Sequence, residues 1–119
     1  MKTVLVVDDT LFMRKMLREI LERHKLQVVG EARNGKEAVS MYEELSPDLI
    51  TLDITMPEMD GIEALKAIIE IDSNARAIMV SAVGSKENIL AAMKAGAKNF
   101  IVKPFNENKV MDVVHSMQK

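Results

Sequence analysis

The sequence predicts an α/β domain built on a parallel sheet, and three observations predict it. Short β-branched or apolar runs alternate five times with longer stretches of helical period. Three of the runs, residues 4–7, 48–52 and 99–102, have the length and character of strands buried on both sheet faces. Each of these ends on charged side chains, Asp8-Asp9, Asp53 and Lys103, and a parallel sheet collects all such ends on one edge.

Taken in order, strands are expected at residues 3–7, 27–32, 48–53, 76–81 and 98–102, with helices at 11–24, 35–45, 61–71, 85–95 and 107–118. The first helix places Phe12, Met16 and Ile20, with Met13 and Leu17, along one stripe that predicts a core face. Asn34 and Asp60 each precede a helix and have a glutamate three residues on, Glu37 and Glu63, the spacing of a capping box. The second helix should stop before Ser46-Pro47. Ser85 and Asn106 are simpler N-caps, and Gly96 follows Ala95 where a left-handed stop is expected. Apolar residues of the fourth helix, Ile89 to Met93 and Ala95, cover nearly all its azimuths, so part of that surface should stay outside the core as a partner-binding face. The last helix repeats a core stripe with Val110, Val113 or Val114, and Met117.

Composition narrows the class. At 119 residues the chain has the length of one domain. With 48% hydrophobic and 29% charged residues and three prolines it should be soluble and globular, and no apolar run approaches the roughly 20 residues of a membrane span. Met1-Lys2-Thr3 leads into the first strand without a signal-peptide stretch, and the lack of cysteine fits a cytoplasmic protein. A net charge of −2 with no dense Lys/Arg run argues against nucleic acid as a direct partner. The chain ends after the fifth helix, so any output is expected through contact rather than through an attached module.

One acid at a strand end is commonly a turn or cap residue. Three acids and a lysine falling on one sheet edge, where open α/β sheets form their crevice, point instead to a site. Three crowded carboxylates repel, and a cation resolves the repulsion. Oxygen ligands without cysteine, and with only His24 and His115 far apart in the chain, favour Mg2+ or Mn2+ over zinc. Asp53 is followed by a long loop to Gly61 that leaves its carboxylate accessible, and an aspartate can carry a covalent phosphoryl group. Lys103 supplies a compact charge for the carboxylate and then for phosphoryl oxygens, with Lys103-Pro104 a candidate cis peptide, and Ser81 offers a hydroxyl donor.

The ordered set V-D-D, L-D-I-T-M-P-E-M-D-G, V-S-A, K-A-G-A and V-K-P-F resembles the receiver domain of two-component response regulators, CheY-like in being a free-standing domain, over essentially all 119 residues. The acceptor segment and the F-M-R of the first helix look most like the chemotaxis members. The resemblance implies a doubly wound, flavodoxin-like sheet of order 2-1-3-4-5, with Asp53 phosphorylated by the phosphohistidine of a histidine kinase. It also implies Asp9, Asp53 and the Thr55 carbonyl as direct Mg2+ ligands, Asp8 acting through water, and Ser81 and Lys103 binding the phosphoryl group. Phe100 stands where the family has its switch aromatic, often tyrosine, and Thr55 and Val83 stand at positions that tune phosphoryl lifetime. An apolar Val83 implies modest self-dephosphorylation. The output surface would be the fourth helix, the fifth strand and the last helix, facing a partner such as the flagellar motor switch, with the domain a monomer.

Other readings compete. A small Mg-dependent phosphatase of the haloacid dehalogenase type wants Asp-x-Asp after its first strand, where this chain has Asp8-Asp9-Thr10. A flavodoxin would place its flavin phosphate in the first loop, where Asp8-Asp9 would repel it. Neither G-x-G-x-x-G nor G-x-x-x-x-G-K-[ST] occurs, which removes Rossmann enzymes and P-loop NTPases. A phosphorelay intermediate passing the group to a histidine phosphotransferase shares every site residue with the chemotaxis switch.

Overall fold

A computed structural model describes residues 2–56, 58–82 and 86–117. The elements run β1 (Thr3–Val7), α1 (Leu11–Arg23), β2 (Gln27–Ala32), α2 (Gly35–Leu45), β3 (Leu49–Asp53), α3 (Gly61–Ile71), β4 (Ala77–Ala82), α4 (Lys86–Ala95), β5 (Asn99–Lys103) and α5 (Glu107–Ser116). All pairings are parallel and the order is β2-β1-β3-β4-β5. The predicted strands and helices are present, displaced by one or two residues at some ends.

Alternation along the strands divides the core into two layers. Val4, Val6, Leu49, Ile78 and Ile101 pack with Leu17, Ile20 and Leu21 of α1 and Val110, Val113 and Val114 of α5. On the other face Leu5, Val7, Ile50, Leu52 and Met79 meet Ala38 and Tyr42 of α2, Ala64, Leu65 and Ile68 of α3, and Ala92 of α4. Each large aliphatic side chain so buried contributes about 1.5–3 kcal/mol. With β1 and β3 in the middle of the sheet, the acids at their ends project from its best-anchored part.

Caps fix where the helices start. Thr10, Asn34, Asp60 and Asn106 each accept a bond from the backbone N–H three residues on. Asp60 and Glu63 form a complete capping box. Asp60→Ala is expected to lower stability by about 1 kcal/mol, seen as a lower urea midpoint at unchanged slope; an unmoved midpoint would mean α3 does not depend on this cap. Gly96 provides the stop after α4 at φ +119°, and Ser46 ends α2 in the left-handed region. The Lys103–Pro104 peptide is cis.

Two local expectations need correction. Phe12 is not a core residue; it is 71% exposed. The buried stripe of α1 is centred on Leu17, Ile20 and Leu21, and at 3.6 residues per turn Phe12 stands about 140° away from Leu17. Asn34 and Glu37 form only half of a capping box. The Glu37 carboxylate accepts instead from the Arg33 N–H at 2.8 Å and pairs with the Arg33 guanidinium at 2.9 Å, a charged partner that outcompetes a neutral N–H. Ser85, read as the α4 cap, lies outside the described residues.

Candidate functional site

The strand ends converge as the sequence predicts. Asp8, Asp9 and Asp53 each offer a carboxylate oxygen within 4.8 Å of the others. Lys103 Nζ lies 3.2 Å from Asp8 Oδ2 and 3.4 Å from Asp53 Oδ2. Asp8 and Asp53 are buried, whereas Asp9 is exposed at the mouth of the crevice. Four groups separated by up to 95 positions, Asp8 to Lys103, thus share one pocket.

Each is held from behind. Asp8 Oδ1 accepts from the Thr10 N–H at 2.9 Å and the Thr10 hydroxyl at 3.0 Å, so the residue that caps α1 also fixes the first acid. Asp53 Oδ1 accepts a long bond of 3.4 Å from the Thr55 N–H. The loop that follows turns back at Gly61, whose N–H donates to the Ile54 carbonyl at 2.8 Å. A Cβ at Gly61 would stand 2.2 Å from the Asp53 carbonyl oxygen, so only glycine lets α3 start this close to the strand end. The Gly35 N–H donates to the Met59 carbonyl at 3.0 Å, which ties the same loop to the start of α2.

Electrostatics follow from crowding. Burial first, and the Asp8 charge second, push the Asp53 carboxyl above its usual range, and Lys103 offsets this only in part. Burial alone would lower the Lys103 ammonium, but Asp53 and Asp8 outweigh it and hold it above the ordinary lysine value. One ammonium therefore pairs with two of the three clustered acids. Oxygen ligands with surplus negative charge and one exposed carboxylate fit a divalent hard cation that keeps part of its water shell.

The remaining predicted residues are placed less directly. Ser81 is buried on β4, one step beyond Val80, the register partner of Asp53, and its hydroxyl donates to the Ala82 carbonyl at 3.3 Å rather than to a site group. Thr55 is exposed beside Asp53. Phe100 is exposed on β5 and lines an apolar groove of about 380 Å3 with Ile89, Leu90 and Met93 of α4. The apolar surplus of α4 is indeed outside the core, where of its residues only Ala92 is buried. Val83 lies outside the described residues.

Sequence reasoning missed Arg14, Glu31, Thr10 and Gly35. The available signals were Thr10, a capping residue type directly before the helix expected at residue 11, and Arg14, a charge on the stripe of α1 that carries Leu17 and Leu21.

A five-stranded doubly wound sheet with an acidic triad and a lysine at its carboxyl edge is the architecture of a phosphorylation-activated signalling domain. The response regulator receiver domain profile matches residues 4–115, and the chain belongs to that family, the receiver domains of two-component systems. Within it the likeness is to the chemotaxis proteins CheY. The CheY of Thermotoga maritima is 52% identical over 118 residues, covering 99% of this chain and 98% of its own. That of Bacillus subtilis is 54% identical over 112 residues, covering 94% and 93%. A crystal structure of the CheX–CheY–BeF3–Mg2+ complex from Borrelia burgdorferi superposes with a TM-score of 0.95 at 42% identity, covering 99% of this chain and 90% of that one. Among the described residues no helix is long and apolar enough to cross a membrane.

Proposed function

We propose that this chain is a chemotaxis response regulator that accepts a phosphoryl group on Asp53 from a histidine kinase. The observation that carries this reading is the convergence of Asp8, Asp9, Asp53 and Lys103 on one edge, with Asp53 buried yet adjoining the exposed Asp9. Asp9, Asp53 and the Thr55 carbonyl would hold Mg2+, or Mn2+, with Asp8 acting through water. The cation supplies charge neutralisation for the carboxylate and the incoming phosphoryl oxygens.

In the transfer, an Asp53 carboxylate oxygen forms a bond to phosphorus as the bond from phosphorus to the donor histidine nitrogen breaks. The electron pair of that bond stays on the imidazole. Because the moving group is metaphosphate-like, alignment and charge matter more than proton transfer, and no histidine base is required. Lys103 moves from pairing carboxylates to pairing the phosphoryl oxygens. Ser81 exchanges its weak bond to the Ala82 carbonyl for a phosphoryl oxygen. Phosphorylation adds about −1.5 to −2 charges, and that shift draws Ser81 and Lys103 inward. Room opened behind the hydroxyl admits Phe100, which changes the α4–β5 groove.

Phe12, Met13, Met16, Pro104 and Phe105 line an apolar groove beside Lys103, and a phosphodonor approaching the crevice would pass over it. The groove formed by α4 and Phe100, with α5, is the output surface for a partner such as the flagellar motor switch. The role is that of a cytoplasmic, monomeric signalling domain whose only chemistry is on itself.

The test is incubation with acetyl phosphate and Mg2+ followed by intact mass. One phosphoryl group should be gained, and the gain should vanish in Asp53→Asn and on chelation of the metal. A gain that persists in Asp53→Asn rejects the assignment.

A further inference from the structure

Arg14 is placed where elementary energetics disfavours it. It is the fourth residue of α1, close to the helix end that repels cations, on a helix with no acidic residue in its first turn. It is also buried, at 8% exposure. A guanidinium persists there only if its donors are well used.

They are. Arg14 Nε donates to Glu31 Oε1 at 3.0 Å and Nη1 donates to the Asp8 backbone carbonyl at 2.9 Å. Glu31 stands on β2 opposite Val6 of β1, and its second oxygen accepts from Arg18 Nε at 2.7 Å. Burial alone would raise the Glu31 carboxyl, but Arg18 and Arg14 together hold it below the usual range, so it remains a charged anchor. The Asp8 N–H donates to the Ala32 carbonyl at 3.1 Å, and both carboxylate oxygens of Asp8 are engaged, by Thr10 and by Lys103. The Asp8 carbonyl belongs to the peptide plane whose other end is the Asp9 nitrogen. Arg14 is the group that fixes that plane.

We propose that Arg14 is a positioning residue for the acidic pair: its fork, aimed by Glu31 of β2, clamps the Asp8–Asp9 peptide so that the carboxylates are preset for a divalent cation. This rests on the proposed metal role of Asp8, Asp9 and Asp53. The clamp is distinguishable from a simple charge effect by sign. A buried cation on the Asp8 carbonyl repels a divalent ion held nearby, so removing its charge alone would tighten Mg2+ binding. Removing a clamp would weaken it.

The experiment is titration of the 15N-labelled, unphosphorylated protein with Mg2+, following backbone amide shifts. Arg14→Met is expected to bind about tenfold more weakly. Arg14→Lys should also bind several-fold more weakly, since one ammonium keeps the charge but cannot span Glu31 and the Asp8 carbonyl. Arg18→Met removes a Glu31 partner without touching Asp8 and should stay within twofold of wild type. Affinity in Arg14→Met equal to or tighter than wild type would overturn the clamp. Should Arg14→Met not fold, unchanged affinity in both Arg14→Lys and Glu31→Gln would overturn it equally. Asp9→Asn reports separately on the site: loss of Mg2+ binding supports the metal reading, and wild-type binding overturns that reading and this inference with it.

Discussion

Gly61→Ala is expected to destabilise the domain by about 3 kcal/mol and to impair Mg2+ binding at the same time. The added Cβ would meet the Asp53 carbonyl oxygen at 2.2 Å, the Asp53 carbonyl carbon at 2.9 Å and the Ile54 Cα at 2.9 Å. All three are backbone atoms, so no rotamer change relieves the clash. Relief requires the end of β3 and the start of α3 to separate, which stretches the 2.8 Å bond from the Gly61 N–H to the Ile54 carbonyl and moves Asp53 itself. Urea denaturation should show a lower midpoint, and a Mg2+ titration of the folded fraction should show weaker binding. A stable variant with wild-type affinity would mean the strand end can give way without moving the Asp53 carboxylate.

Lys103→Met is expected to lower the stability of the metal-free domain by about 2 kcal/mol at neutral pH. Breaking a buried ion pair costs roughly 3–5 kcal/mol. Lys103 is 25% exposed, and solvent screening reduces the figure. The sign with pH follows from the shifts. The Lys103 value is raised in the folded state, so its contribution is fully present below the ordinary lysine value and is lost as pH rises through the raised one. The Asp53 value is also raised, so its proton stabilises the fold below the ordinary carboxylate range, and that contribution is lost as pH rises through the raised value. At neutral pH, ionised Asp53 is therefore a liability that Lys103 partly offsets. The deficit of Lys103→Met should shrink as acid titrates the carboxylates, and saturating Mg2+ should restore most of it by supplying charge at the same place. Thermal unfolding with and without Mg2+ reads both effects. No deficit without metal would remove the lysine from its assigned electrostatic role.

Much of this was legible in the residues for a simple reason. Strands buried on both faces are apolar throughout, so Asp8, Asp53 and Lys103 each stood out against the run before them. Asp60 with Glu63 was legible because a capping box is a contact between neighbours in the chain. Asn34 with Glu37 carried the same spacing yet built only half the motif. Arg33, just outside the helix, offered Glu37 a charged partner that spacing alone does not weigh. Phe12 was misplaced because apolar character at helical spacing fits more than one rotation of α1. The rotation is set by Leu17, Ile20 and Leu21 packing on β1 and β2, and by Arg14 reaching Asp8 and Glu31. Nothing local encodes those contacts.

By itself the sequence determined the alternation of strands and helices, the edge on which the acids and Lys103 would gather, and the chemistry such a set could perform. These are carried by composition, period and spacing. The tertiary structure alone decided how closely Asp53 and Gly61 approach, which face of α1 is buried, and that Arg14 and Glu31 stand behind the acidic pair. Those depend on contacts between segments brought together by the sheet order β2-β1-β3-β4-β5, and short-range pattern carries no record of distance between them.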